Sequence, residues 1–194
     1  MVTVTECTTL GKGRLRFHLD NGTELVLYRG EAKQFRMREG STLSDEEEHQ
    51  LIYEVVGKRA KRRTMHLLEQ MDRTEQQLRE KLKQGGYPQA CIDLALEYVK
   101  SFHYVDDYRY ACTYINYRQD RMSRYQLKVK LYGKGVSGEL IDRALEECYE
   151  GDEQEQIIRL LEKKKFDAQN SDPKEFTRVY QYLMRRGKIG RAHV

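Results

Sequence analysis

The sequence QLREKLKQGGYPQACIDLAL, residues 77–96, decides the fold because it occurs twice. The sequence QLKVKLYGKGVSGELIDRAL, residues 126–145, repeats it 49 residues later with nine identities in one register. A weaker third copy follows at an offset of 52 residues, with Val179, Leu183 and Gly187 in the matching positions. Self-similarity at such a period is the signature of a repeat protein in which each copy is one structural unit.

Each copy predicts two short helices joined at a glycine, with a third helix before them. Thr74 and Gln77, like Ser123 and Gln126, have the spacing at which side chain and backbone satisfy each other's free amides at a helix start. A glycine stands where the following helix should stop, since glycine adopts the left-handed conformation without steric cost. Leucines four residues apart give that helix one buried face.

The N-terminal region, residues 1–40, has a different pattern, in which apolar residues alternate with polar ones as in strands. Asn21-Gly22 favours a two-residue type I′ turn, which would place Phe17 opposite Val26 in a hairpin. A lone hairpin is only marginally stable, so a third strand from the preceding residues and packing on a helix are expected.

The fold class predicted from these patterns is mainly α: three tandem three-helix repeats in an elongated curved rod, with a small N-terminal β-hairpin or three-strand region. The third repeat is expected to lack its last helix, because Lys188 to Val194 has no apolar stripe. The predicted segments are a β region at 1–40, a first repeat at 44–107, a second at 108–151 and a third at 152–194.

Composition restricts the function. Charged residues make up 34% of the chain, but its net charge is only +4, so an anionic partner must be met by local clusters. No apolar run approaches a membrane span and no secretion signal pattern is present, which predicts a cytoplasmic protein, here expected to be monomeric. Four cysteines without CxxC spacing and five scattered histidines predict no metal site and no cofactor.

Two basic clusters are the candidate binding surface. Residues 58–63 hold five cations in six positions; such a run is commonly a solvated helix face, and its functional alternative is a phosphate contact. Residues 118–134 contain six basic residues and only one acidic residue, Asp120, and tyrosines flank the cations. Cations flanked by phenols can bind nucleic-acid backbone or an acidic protein surface. The predicted contact residues are Lys58, Arg59, Lys61, Arg62, Arg63, Arg118, Arg121, Arg124, Tyr125, Lys128, Lys130, Lys134, Arg185 and Arg186.

Tyrosines at helical spacing accompany the second cluster. Tyr110, Tyr114 and Tyr117 lie on adjacent turns of one predicted helix. Aromatic residues at this spacing are core residues more often than base-stacking platforms, so we expect them to pack against the repeat.

An ordered set of motifs in the middle repeat resembles a known family. The motifs that carry the resemblance are Asp106-Asp107 with Tyr110-Ala111, Arg118, and Leu131 with Gly133-Lys134-Gly135-Val136 and Ile141. They resemble the D-x-x-Y-A, arginine and L-x-x-K-G-I signatures of the RecX family of bacterial recombination regulators. The resemblance covers about residues 44–187, and the strand-rich N-terminus is similar to an extension carried by Gram-positive members.

The resemblance implies a function. Members of this family bind the RecA recombinase on single-stranded DNA and restrain filament growth, strand exchange and ATP hydrolysis, in DNA repair, recombination and the SOS response. It therefore implies that the basic clusters face the RecA filament, with single-stranded DNA phosphate as a second partner. Contact with several protomers at once would give avidity without one strong site.

A helix-turn-helix DNA-binding protein is the alternative, because two short helices joined at Gly135 resemble that unit. Charge argues against it: the would-be recognition helix, residues 137–150, has five acidic residues against Arg143, a net charge of −4. Such a helix would be repelled from a major groove.

An enzyme is the third class considered, and the sequence offers it little. The phosphate-loop spacing G-x-x-x-x-G-K-[ST] is absent, as are a nucleophile elbow and a metal-ligand pair. Asp106-Asp107 fits a helix cap better than an acid-base pair. We therefore expect a protein that acts by binding and not by catalysis.

Overall fold

A computed structural model describes residues 1–167 and 169–188, which are mostly helical. They form two compact units, Met1–Asp106 and Asp107–Val194. The division into four segments is finer than these two units, and its bounds stay a prediction. The strands of the first unit are β1 (Val2–Gly11), β2 (Arg14–Leu19), β3 (Glu24–Tyr28) and β4 (Thr42–Leu43). Its helices are α1 (Arg29–Gln34), α2 (Asp45–His49), a π-helical segment (Gln50–Val56), α3 (Gly57–Gln70), α4 (Glu75–Gln84) and α5 (Gln89–Ser101). The second unit contains α6 (Asp107–Arg118), α7 (Arg124–Tyr132), α8 (Gly138–Cys148), α9 (Glu153–Lys163) and α10 (Pro173–Arg185).

The N-terminal strands form one antiparallel sheet in the order β3-β2-β1-β4. The predicted hairpin and the strand before it are confirmed, and the short strand β4 adds a fourth member. β4 pairs with the beginning of β1, where Val2 lies opposite Leu43. The sheet thus brings the start of the chain next to the segment that enters the first repeat.

The predicted hairpin register is wrong by one residue. Phe17 lies opposite Leu25, not opposite Val26. The connection is a three-residue loop, residues 20–22, in which Leu19 N–H donates to the Thr23 carbonyl at 2.9 Å. Its last residue is a glycine at φ 81°, the left-handed position that three-residue hairpin loops use.

Burial explains why the longer loop is preferred. A slip of one residue moves every side chain of a strand to the other face of the sheet. In the observed register Phe17 and Leu25 share the core face, and both are fully buried. The two-residue turn would have paired Phe17 with Val26, which lies on the opposite face of β3.

The sheet and the first repeat share one hydrophobic core. Phe17 and Leu25 from the strands belong to the same buried cluster as Leu51, Leu78 and Ile92 from the helices. The sheet therefore obtains the helical packing that a small hairpin requires.

A continuous helical run leads from α2 through the π-helical segment into α3. Residues 45–70 are helical without a gap. Gly57 N–H donates to the Ile52 carbonyl in the wider π turn, and the Cys91 thiol donates to the same carbonyl at 3.2 Å. A Cβ at Gly57 would lie 2.7 Å from Leu94 Cδ2, so this glycine allows α5 to pack closely.

The predicted helix ends are confirmed in both repeats. Thr74 caps α4 and Ser123 caps α7, each in a reciprocal capping box with the glutamine three residues later. Gly86 and Gly135 follow these helices at φ 76° and 85°. Each glycine reverses the chain into the next helix of its repeat.

The second unit has its own core, formed by α6, α7 and α8. Ile115, Leu127, Leu131 and Ile141 are fully buried there. Tyr110 and Tyr114 pack partly buried against this core as predicted, whereas Tyr117 is 86% exposed.

The third repeat contributes α9 and α10 to the second unit. Gln156 of α9 is buried and donates to the Gln119 carbonyl at 2.6 Å, while Leu183 is the buried apolar residue of α10. The predicted absence of a last helix concerns Lys188 to Val194, of which residues 189–194 lie outside the described residues.

Two glycine substitutions should separate backbone strain from steric contact. Gly86 and Gly22 both have positive φ, but a Cβ at Gly86 would overlap the Val26 side chain, whereas nothing lies within 4 Å of a Cβ at Gly22. We expect Gly22→Ala to lower the free energy of unfolding by about 1 kcal/mol through the left-handed backbone alone. Gly86→Ala should cost about 1–3 kcal/mol more, because of the overlap. Urea denaturation followed by circular dichroism measures both, and equal losses would contradict this account.

Candidate functional site

The basic run on α3, residues 58–63, is not a uniform cationic face. Lys58 forms an ion pair with Glu54 one turn earlier, at 2.6 Å. Lys61 lies over the Tyr98 ring, with its Nζ 5.1 Å from the ring centroid. Arg62 and Arg63 are exposed. The outward cations of this run are therefore Lys61, Arg62 and Arg63.

Arg59 points in a different direction and ties α3 to the sheet. Its guanidinium donates to the Glu31 carboxylate and to the Val26 carbonyl of β3. It also lies over two tyrosine rings, 5.0 Å from the centroid of Tyr28 and 5.4 Å from that of Tyr87. Both side chains of the Arg59–Glu31 pair are only 20% exposed. Arg59 is thus engaged within the fold, although the sequence grouped it with the contact residues.

Substituting the two kinds of arginine should give different results. Charge-assisted hydrogen bonds of this type each contribute about 1.5–3 kcal/mol, so Arg59→Gln should lower the free energy of unfolding by about 2 kcal/mol. Arg62→Gln removes an exposed charge from the same helix and should change it by less than about 0.5 kcal/mol. Thermal and urea denaturation compare the two variants. A stable Arg59→Gln protein would show that the guanidinium contacts are dispensable.

In the second unit, a cluster of tyrosines and cations lies on α6 and the loop after α7. The rings of Tyr110 and Tyr114 stack with centroids 6.4 Å apart. Arg118 lies 4.9 Å from the Tyr114 centroid, and Lys134 Nζ lies 5.3 Å from the same ring. The structure therefore brings together Arg118 and Lys134, which are 16 positions apart in the sequence. The tyrosine faces hold both cations through cation–π attraction.

Lys128 has a structural role that the comparison of the repeats reveals. It forms an ion pair with Asp142 of α8. Arg79 forms the equivalent pair with Asp93 at 2.7 Å in the first repeat, and both members lie 49 residues earlier. An equivalent bridge thus ties the second and third helices of the first two repeats. Lys128 is therefore part of the repeat's own construction as well as of the basic surface.

An exposed apolar stripe runs along α7. Tyr125, Val129 and Tyr132 occupy one face at i, i+4 and i+7, and their exposed fractions are 66%, 51% and 71%. We call these three residues the α7 stripe. Exposed Arg121, Arg124 and Lys130 accompany it.

The construction shared by the first two repeats does not include the α7 stripe. The equivalent residues of α4, 49 positions earlier, are Gln76, Glu80 and Lys83. Two helices with the same caps, the same buried leucines and the same bridge thus differ in their outward face. Contiguous exposed apolar surface that the shared repeat construction does not need marks an interaction site.

Sequence reasoning selected Tyr125 but not Val129 or Tyr132 as contact residues. The missed signal was present in the sequence, because aligning the two repeats shows which outward positions change from polar to apolar. The predicted contact residues are mostly cations, whereas the stripe between them is apolar.

The third repeat reaches the beginning of the α7 stripe within the second unit. Ser123, the cap of α7, donates through Oγ to the Arg186 carbonyl at 3.3 Å. A Cβ at Gly187 would lie 2.6 Å from Tyr125 Cδ1, so Gly187 allows the loop after α10 to contact that ring. Arg186 lies over Tyr182, 4.8 Å from the ring centroid, and Arg185 is exposed.

The α8 surface is acidic, in agreement with the charge count of residues 137–150. Glu139, Asp142, Glu146 and Glu147 are exposed. Arg143 donates to Glu147 at 3.0 Å and so adds no free positive charge. The outward side of α8 is thus unsuited to a polyanion.

Within the described part of the chain, no helix is long and apolar enough to cross a membrane.

The ion pairs of α4 predict a specific acid sensitivity. Lys100 Nζ lies 2.8 Å from Glu75, and this hydrogen bond, with one from Arg79, holds the pKa of Glu75 below its ordinary value of 4.5. A lowered folded-state pKa means that ionised Glu75 stabilises the fold above the ordinary value, and that this stabilisation is lost as pH falls through the folded-state pKa.

Lys100→Met removes the largest cause of the shift. We expect the pKa of Glu75 to rise and the loss of stability between neutral and acidic pH to become smaller. Carboxyl chemical shifts in a pH titration, together with urea denaturation at each pH, measure both effects. Lys83→Met, which removes an exposed lysine from α4, is the control and should leave the Glu75 titration unchanged.

The sheet, the capped repeats and the two cores define the class of this chain: a tandem three-helix repeat protein with an N-terminal antiparallel sheet. Three family models match it in order, described as the first, second and third three-helix domains of RecX, at residues 60–98, 106–145 and 151–187. Together they cover more than half of the sequence. The chain belongs to the RecX family.

Curated relatives and solved structures agree with the family. The regulatory protein RecX of Geobacillus kaustophilus is 32% identical over 79% of this chain and 58% of its own length. The protein of the same name in Caldanaerobacter subterraneus subsp. tengcongensis is 29% identical over 78% of this chain and 75% of its own length. The relative of that name in Clostridium acetobutylicum is 26% identical over 96% of this chain and 89% of its own length. A crystal structure of regulatory protein RecX covers 96% of this chain and 94% of its own, with a TM-score of 0.60 at 20% identity. The structure of RecX from Lactobacillus salivarius gives 0.56 at 15%, over 68% and 87%. At these identities the structures support the fold.

Proposed function

We propose that this protein regulates the RecA recombinase as an inhibitor or modulator in DNA repair and recombination. It binds RecA filaments on single-stranded DNA and restrains filament growth, strand exchange and ATP hydrolysis. Membership of a family of regulatory proteins supports the proposal. The observation that carries it is the α7 stripe with its flanking cations, an exposed surface that the first repeat lacks at the equivalent positions.

The composition of this surface suits a protein partner. Tyrosine and arginine dominate the binding energy of protein interfaces, because they combine large apolar area with hydrogen bonding. Tyr125 and Tyr132 supply the apolar area, and Arg121 and Arg124 supply positive charge next to it. A partner with an acidic rim around an apolar centre would be complementary, and opposite charge would increase the association rate.

The repeats allow several contacts along a filament. Successive protomers of a filament present the same surface at regular intervals, so one chain with more than one contact would bind with avidity. The proposal describes a monomeric cytoplasmic protein that acts by binding, without a catalytic step. The basic run on α3 and the tyrosine–cation cluster on α6 are the further contacts that it includes.

ATP turnover by RecA on single-stranded DNA tests the proposal. We expect the wild-type protein to lower turnover. The double variant Arg121→Glu/Arg124→Glu should require about ten times the concentration for the same inhibition, since two charge reversals at one interface cost more than about 1.4 kcal/mol. Lys128 stays unchanged because its substitution would break the bridge to Asp142. The matched control is Lys81→Glu/Lys83→Glu, an equal charge change on exposed residues of α4.

The outcomes are distinct. Equal inhibition by the Arg121/Arg124 variant and the wild type would remove α7 from the contact. Loss of inhibition in both double variants would indicate a general charge effect. If the folded wild-type protein does not change RecA turnover at any concentration, the proposed function is wrong. Circular dichroism confirms that each variant is folded.

A further inference from the structure

Three aromatic side chains form an exposed surface at the end of α5. Tyr98, Phe102 and Tyr104 are 37%, 53% and 47% exposed. The Phe102 ring lies 5.1 Å from Tyr98, edge to face, and 5.7 Å from Tyr104 at an interplanar angle of 18°. We call these three residues the aromatic platform. It belongs to the first unit and shares no residue with the α7 stripe.

The backbone fixes the aromatic platform. Tyr104 N–H donates to the Val99 carbonyl, and His103 N–H to the Lys100 carbonyl, both at 2.9 Å. These two hydrogen bonds, with His103 at φ 55°, form a Schellman motif, in which a left-handed residue ends the helix and turns the chain back over its last turn. The turn places Tyr104 beside Phe102. The platform is therefore held by hydrogen-bonded backbone and not by a loose segment.

The second repeat has no aromatic residue at the position of Tyr98. The residue 49 positions later, on α8, is the exposed and acidic Glu147. Phe102 and Tyr104 lie beyond the last residue of α5 and keep about half of their surface exposed. The three rings thus form contiguous exposed apolar surface, which marks a binding site.

Positive charge borders the aromatic platform. Lys61 Nζ lies 5.1 Å from the centroid of Tyr98, and exposed Arg62 follows it on α3. A groove of about 400 Å³ begins at Tyr98 and is lined by these two cations together with Lys58 and His66. Glu69, also in the groove, faces His66 at 3.6 Å. Ring faces and cations are therefore adjacent in one unit.

We propose that the aromatic platform and the Lys61–Arg62 cations form a binding site for single-stranded nucleic acid. Unpaired bases stack on Phe102 and its neighbours, and the phosphates of the same strand lie along α3. Every base has a π face, so such a site tolerates any sequence. This inference goes beyond the proposed function, because it assigns base stacking to a separate site in the first unit and is tested without a recombinase.

Charge and ring electronics favour nucleic acid over an acidic protein surface. The face of an aromatic ring is the negative side of its quadrupole, so carboxylates gain nothing by lying on it. A nucleotide strand carries a stacking surface and an anionic group in each repeating unit. It can therefore satisfy the platform and the cations together, whereas an acidic peptide would satisfy the cations alone.

Binding of the full chain to an oligothymidylate of about 20 nucleotides containing one 2-aminopurine tests the site. The protein contains no tryptophan, so the fluorescent base is read without interference. We expect binding to change the 2-aminopurine fluorescence, and Phe102→Leu to weaken binding about tenfold and remove that change. Arg62→Gln should reduce the slope of log affinity against log salt by about 0.7.

Controls make the result specific. Tyr53→Leu removes a ring that is 40% exposed in the same unit but lies against His49, with ring centroids 4.5 Å apart, and should not alter binding. Tyr98→Leu is the second test variant and should weaken binding as Phe102→Leu does, so the result does not depend on one variant folding. The assay contains no recombinase, so its outcome is separate from the ATP-turnover test.

Three results would overturn the inference. The first is an unchanged affinity in both platform variants, and the second is equally tight wild-type binding of an abasic oligonucleotide with the same phosphates. The third is competition by polyglutamate as effective as that by unlabelled oligothymidylate and equally sensitive to Phe102→Leu, which would assign the surface to an acidic protein.

Discussion

The left-handed glycine at the corner of each repeat is the constraint on which the rest of the structure depends. Gly86 and Gly135 adopt φ values of 76° and 85°, which end one helix and aim the next one back across it. With this corner fixed, the leucines of the first helix and the Ile-x-x-Ala-Leu series of the second meet in a core. The Arg79–Asp93 and Lys128–Asp142 bridges then cross the corner at equivalent places. Caps, core and bridge all require the helix directions that the glycine sets.

Because the first two repeats share these caps, core leucines and bridges, the positions at which they differ are not required by that shared structure. The outward residues Gln76 and Lys83 become Tyr125 and Tyr132, and the acidic Glu147 replaces Tyr98 in the opposite direction. Each repeat thus carries an aromatic surface at a place where its sister is polar. Different partners can be met by different copies without disturbing either core. Repeat proteins generally vary their outward faces in this way, since each unit contacts only its neighbours.

Periodicity and caps were sufficient to predict the repeats, because Thr74, Ser123 and the two corner glycines act locally. The hairpin register was not predictable from the Asn21-Gly22 pair alone. Both loop lengths suit that pair, and the choice depends on which residues of β3 face a core built partly from the distant helices. The direction of Arg59 likewise depends on Glu31 and Val26, which precede it by about 30 residues. Charge in a run is visible in the sequence, but the contacts that engage one member of it are not.

The meeting of β3 with the first repeat has a consequence for solubility. The Val26 N–H donates to the Gly86 carbonyl at 3.2 Å, and its own carbonyl accepts from Arg59. β3 is an edge strand of the sheet, and these groups of its central residue would otherwise be open to a strand of another molecule. An open strand edge is a template for self-association, and proteins commonly cover it. The corner glycine of the first repeat therefore also covers part of this edge. A fragment that kept the strands and lost the helices would expose an edge strand able to pair with strands of other molecules.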